Sequence, residues 1–131
     1  MPDISLLAVL LATVSSFILG GIWYGPMFGS AWMAAHNFDA EKLRQNFNPV
    51  RTYGITFLIG LATAYTFGMF LGRGLGWNYG ATYGLIAGLV WVGGSLATNQ
   101  QFERTSPTLL MINGGYHTLR FALMGAILGG L

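Results

Sequence analysis

The 131 residues are 53% hydrophobic and only 8% charged, against about 25% charged in an average soluble domain, which excludes a conventional water-facing surface. Six Lys/Arg and four Asp/Glu leave a net charge of +2 with no basic cluster, so nothing argues for nucleic acid as a partner. The absence of cysteine excludes disulfides, thiolate catalysis and cysteine metal sites. The expectation is one all-α domain, residues 1–131, lying in a lipid bilayer as a bundle of four transmembrane helices.

After Met1, Pro2 and Asp3, an apolar run over about residues 4–24 is long enough to cross roughly 30 Å of hydrocarbon. Its acidic start and the lack of a cleavage pattern separate it from a secretory signal. Trp23 and Tyr24 close the run as interfacial aromatics, and Gly25-Pro26 is expected to stop the helix. From Gly25 to Thr52 the apolar density falls, and Asp39, Glu41, Lys42, Arg44 and Arg51 concentrate the charge. This is the one amphipathic, interfacial loop, lying between helices 1 and 2. Met27 to Ala35 fits the headgroup layer, and Asp39 to Phe47 is expected to form a turn or two of exposed helix. Asn48-Pro49 is a break before the next span.

The second span is expected over about 53–71 and the third over about 79–97. Gly60, Ala64, Gly68 and Gly72 recur every four residues in and just beyond the second, and Gly76, Gly80, Gly84 and Gly88 continue the device into the third. Small residues at that spacing let helix backbones approach closely, which matters in lipid because apolar area alone does not drive helices together. Gly68, Gly80, Gly84, Gly88, Gly125 and Gly129 are therefore assigned to packing interfaces. A weak internal echo is present: Gly21 to Gly25 resembles Leu89 to Gly93, and Gly68 to Gly72 resembles Gly125 to Gly129.

Ser106-Pro107 reads as an N-cap followed by proline at the first helical position, starting a fourth span over about 109–131. Here Asn113, His117 and Arg120 fall within roughly 60° of one another on a helical wheel. The opposite face is almost all small, with Gly115, Thr118, Ala122, Gly125, Ala126 and Gly129. Arg120 lies about 20 Å along the helix from Pro107, where translocon scales charge about 2.5–3.5 kcal/mol for an arginine. That charge needs compensation from polar groups, water, lipid phosphate or a bound anion. Four spans put both termini on one side. Lys42, Arg44, Arg51 and Arg104 lie in the loops of the other side, against Arg73 alone, so both termini are expected outside.

Trp23-Tyr24-Gly25-Pro26-Met27-Phe28-Gly29, followed by Ala31-Trp32-Met33, resembles the signature of small bacterial membrane proteins catalogued as domain of unknown function 1761. Phe102-Glu103-Arg104 and Ile112-Asn113-Gly114-Gly115-Tyr116-His117 are similar to that family's later motif. The resemblance covers most of the chain. It implies a multi-pass protein of four spans in the bacterial inner membrane, and supplies no mechanism.

Catalytic constellations are missing: there is no nucleophile elbow, no phosphate-binding glycine loop and no pair of carboxylates inside a span. The protein is therefore expected not to be an enzyme and to need no cofactor or metal. Asn113, His117 and Arg120 are the candidate ligand-binding residues, for a small anion or polar solute that is bound or passed at a helix or subunit interface. The leading expectation is a non-enzymatic homo-oligomer. The alternative is an accessory subunit of a larger membrane complex, with His117 available to a haem or pigment, and an enzyme acting on lipid headgroups comes last.

Overall fold

The computed structural model describes residues 4–36 and 48–131. The expected turns at Asp39 to Phe47 lie outside the described residues. Among those described, every regular element is a helix.

Helix α1 spans Leu6–Ile22, with the Ser5 side chain accepting from Ala8 N–H at 3.2 Å as its N-cap. The expected stop at Gly25-Pro26 does not occur. The rod continues through a wide π-helical turn, Trp23–Met27, in which Phe28 N–H donates to Trp23 O at 2.9 Å, five residues back. Proline has no N–H to give to the residue four before it, and a wide turn absorbs that gap without breaking the rod. After Phe28 the chain enters α2, Gly29–His36.

Helix α3 is Pro49–Leu71, capped by the Asn48 side chain with proline in its first turn. It ends in a turn where Gly72, Gly74 and Gly76 all hold positive φ (75°, 80° and 99°), a region that costs an L side chain strain. The third rod is α4, Trp77–Ile86, a second wide turn, Ala87–Val92, and α5, Gly93–Glu103. It runs beyond the expected boundary at residue 97, because Thr98 to Glu103 are polar without being helix breakers and the rod emerges from the apolar zone still helical. Helix α6 spans Pro107–Gly130 and is capped by Ser106, whose side chain accepts from Thr108 N–H at 3.2 Å.

The two echoing sequence segments overlap the two wide turns. Residue pairings set the directions. Ser16 meets Tyr116 and Trp23 meets Ile112, so α1 and α6 are antiparallel. Gly80, Gly84 and Gly88 approach Gly125, Phe121 and His117 in turn, so α4 is antiparallel to α6 as well. Gly60 meets Thr13 and Gly68 meets Ile4, so α3 is antiparallel to α1 and hence parallel to α6, with Phe67 edge-on to Phe121.

Helix α6 is the hub, touching every other α-helix among the described residues. A buried cluster of Ala8, Val9, Ala12, Ala64, Phe67, Ala87, Met124 and Leu128 joins α1, α3 and the third rod to it. Three rods, Leu6–Met27, Pro49–Leu71 and Trp77–Glu103, are long and apolar enough to cross a membrane. Helix α6, at 24 residues, is long enough but not apolar enough, because Asn113, His117, Arg120 and its glycines dilute it. Much of its surface is covered by protein instead.

Candidate functional site

The first wide turn aims two side chains at α6. Trp23, 9% exposed, donates its indole N–H to Ile112 O at 2.8 Å. Its ring lies where a side chain at 115 would stand: a Cβ there would be 2.9 Å from Trp23 Cζ2. Gly115 is thus the socket for the indole. Tyr24, one residue on, donates to Asn113 Oδ1 at 2.7 Å and packs edge-on to Tyr116, with ring centroids 5.3 Å apart. The two sequence motifs, nearly ninety residues apart, form one aromatic lock.

Below that lock a cleft of about 570 Å³ opens between α1, α3 and α6. Helix α1 contributes Ser16 and Gly20, the wide turn after it Tyr24, and α3 contributes Thr52, Thr56 and Gly60. From α6 come Tyr116, His117 and Arg120. Because α3 runs parallel to α6 with Phe67 level with Phe121, Thr52 and Thr56 lie toward the end where both helices begin. The Cα–Cβ bond of a helical residue tilts the same way, so the Arg120 side chain is carried toward that end. On the other side of Arg120 the space is filled. Gly60 abuts Thr13, where a Cβ would be 3.0 Å from Cγ2, and Ala12, Ala64 and Met124 are fully covered. The cleft is closed toward the chain termini and extends toward the end bearing Tyr24 and Thr52.

The guanidinium carbon of Arg120 lies 5.5 Å from the centroid of Phe121, with no carboxylate paired to it among the described residues. It is close enough to His117 and Tyr116 to act on both electrostatically. His117 Nδ1 is buried and has no hydrogen-bond partner among the described residues. No cluster of three metal-ligating side chains occurs among them either. The site offers a cation, an uncommitted imidazole nitrogen and several hydroxyls, a set suited to an anion or a polar solute rather than to a metal.

The family described as protein of unknown function (DUF1761) matches residues 7–129. The chain belongs to this family. No curated protein and no solved structure matches it. Both motifs that carried the resemblance fall inside the DUF1761 match, and they meet through Trp23, Tyr24, Asn113 and Gly115, of which Tyr24 lines the cleft.

The three candidate residues do not share one cavity in this DUF1761 chain. His117 and Arg120 line the cleft, whereas Asn113 lines a smaller cavity of about 230 Å³ with Leu96, Asn99, Gln100 and Glu103 of the third rod. Tyr24 bridges the two. The packing glycines also separate. A Cβ on Gly80 or Gly84 would overlap the Gly125 or Phe121 carbonyl, one on Gly88 would be 2.5 Å from His117 O, and one on Gly129 would be 2.6 Å from Gly76 O. Gly68 instead meets side chains, Ile4 and Leu128, at ordinary contact distances of 3.4 and 3.5 Å. Since Gly80, Gly84, Gly88, Gly125 and Gly129 are occupied within one chain, a second copy would have to use other faces.

Sequence reasoning did not single out Ser16, Tyr24, Thr52, Thr56 or Tyr116 as site residues. One available signal was the spacing of Thr52, Thr56 and Gly60, which recur every four residues on one face of α3.

Proposed function

We propose that this protein is a non-enzymatic, multi-pass membrane protein whose cleft binds a small anion or polar solute at Arg120. The observation that carries the reading is an arginine in a hydroxyl-lined cleft between helices, without a carboxylate partner among the described residues. An arginine at that depth carries an insertion cost of about 2.5–3.5 kcal/mol, and an anion is the ligand that repays it with charge-assisted hydrogen bonds.

In this reading α6 is the fourth span. It can be less apolar than the others because the other helices shield it from lipid. The charge bias of the loops puts both termini outside a bacterial inner membrane, so the cleft faces the cytoplasm. Cysteines introduced between residues 39 and 47 should then be protected from an impermeant thiol reagent in intact cells, while one at residue 131 is labelled. The reverse pattern would overturn the orientation.

The direct test is anion binding by the purified protein in lipid nanodiscs. Arg120→Met should weaken binding of small monovalent anions on the order of a hundredfold, the worth of a pair of charge-assisted bonds. The variant should be at least as stable as the wild type, because the insertion cost disappears. Arg120→Lys should restore only part of the affinity, since an ammonium lacks the planar fork. Unchanged affinity in Arg120→Met would sink the proposal.

One observation favours a second reading, an accessory subunit or homo-oligomer. Within its length the third rod exposes Tyr83 and Trp91, and amphipathic aromatics away from the rod's ends suit contact with protein better than with lipid tails. Particles containing other chains favour the accessory subunit, and uniform homo-oligomers favour self-association.

A further inference from the structure

The cleft has more hydrogen-bond acceptors to offer an occupant than its count of hydroxyls suggests. Tyr116 donates its proton to Ser16 O at 3.0 Å, Ser16 to Thr13 O at 2.8 Å, Thr56 to Thr52 O at 2.7 Å and Tyr24 to Asn113 Oδ1 at 2.7 Å. Three of those acceptors are backbone carbonyls, which can only accept, so the direction of the bonds is set by chemistry. A hydroxyl has one proton and two lone pairs. With the proton committed to the protein, each of these oxygens has only lone pairs left for a ligand.

The occupant therefore meets two kinds of group. Arg120 supplies N–H donors and positive charge, with the Thr52 hydroxyl and His117 Nδ1, unpartnered among the described residues, beside it, and the oxygens of Ser16, Tyr116, Thr56 and Tyr24 supply acceptors. An anion without hydrogens satisfies the first and sets its own lone pairs against the second. Desolvated acceptors left without a donor oppose its binding. An anion that also carries an O–H satisfies both.

We infer that the cleft selects small hydroxyl-bearing oxyanions, such as hydrogencarbonate, dihydrogenphosphate or a 2-hydroxycarboxylate, over aprotic anions of the same charge and similar size. The anionic oxygens face the Arg120 guanidinium and the O–H donates to Ser16 Oγ or Tyr116 Oη. This rests on the anion-binding reading of the same cleft and adds the chemical class.

Two matched pairs test it by titration calorimetry on the full chain in nanodiscs: hydrogencarbonate against nitrate, both planar monoanions, and glycolate against acetate, which differ by one hydroxyl. The hydroxyl-bearing member of each pair should bind about tenfold tighter, the worth of one well-made hydrogen bond in a desolvated site. Ser16→Ala should cut that ratio severalfold. The Ser16 proton bonds only within its own helix, so the variant keeps every contact between helices that its backbone makes, including the bond from Tyr116. Equal affinities within each pair, with dependence on Arg120 retained, would overturn the selectivity and leave the anion reading standing. Affinities indifferent to Arg120→Met would overturn both. A Ser16→Ala protein that keeps the full ratio, with Tyr116→Phe keeping it too, would overturn the acceptor mechanism.

Discussion

Replacing Trp23 by alanine is expected to destabilise the protein by about 3–5 kcal/mol, the range for truncating a buried tryptophan to alanine. The indole fills the socket at Gly115, donates to Ile112 O and packs on Phe28, with ring centroids 4.5 Å apart. Its loss leaves a cavity at the junction of α1 and α6, in a setting where no water-driven collapse closes the gap. Trp23→Phe keeps a ring and loses the N–H, and should cost less, with about 1 kcal/mol of it from the hydrogen bond. Reversible unfolding in mixed micelles measures both. If alanine costs no more than phenylalanine, the lock is not what joins α1 to α6.

Gly84→Ala is expected to cost about 3 kcal/mol, the upper part of the range for overpacking. A methyl group at this position would overlap the Phe121 carbonyl and lie 2.9 Å from Ala122 Cα. Backbone atoms cannot rotate aside as the tip of a flexible side chain can, so α4 and α6 must separate along their length. Gly114→Ala is the matched control. It also lies mid-helix but has nothing within 4 Å of the added carbon, so it should be neutral or slightly stabilising through reduced chain entropy. Equal stability of the two variants in the same micelle assay would show that the close approach of α4 and α6 contributes little.

Helix starts were legible in the sequence because caps are local chemistry. Ser106-Pro107 announces α6 by residue type alone, whereas Asn48-Pro49, read as a break before a span from about residue 53, is itself the cap and first turn of α3. Pro26 misled because the same ring that stops an α-helix is tolerated when the turn widens, as it does where Trp23 and Tyr24 dock on α6. The polar stretch 98–103 was read as an exit because polarity marks where the apolar layer ends, not where a helix ends.

The polar stripe of α6 was also legible, since Asn113, His117 and Arg120 share a sector at helical spacing. Its division between two cavities was not. In angle Asn113 lies between Arg120 and His117, but it stands about one to two turns nearer the start of the helix, at the level where Tyr24 bonds to it. The hydroxyls of Ser16, Thr56 and Tyr116 were missed for a related reason. Serine, threonine and tyrosine are ordinary in an apolar helix, and only the positions of three helices together show that they line one space.

The second wide turn makes the third rod two helices of different angular phase joined end to end. Gly80, Gly84 and Gly88 are spaced by four, whereas the Gly93 N–H reaches back five residues to Gly88 O. One added residue per turn advances everything downstream by about 100°. That offset is what lets Leu96, Asn99 and Glu103 face the same neighbour as the glycine stripe, so that they stand beside Asn113. Residue count between Gly88 and Glu103 is therefore itself a structural parameter. Deleting one position in the turn would leave the rod helical and its composition nearly unchanged, yet swing the carboxylate of Glu103 about a quarter-turn away from α6.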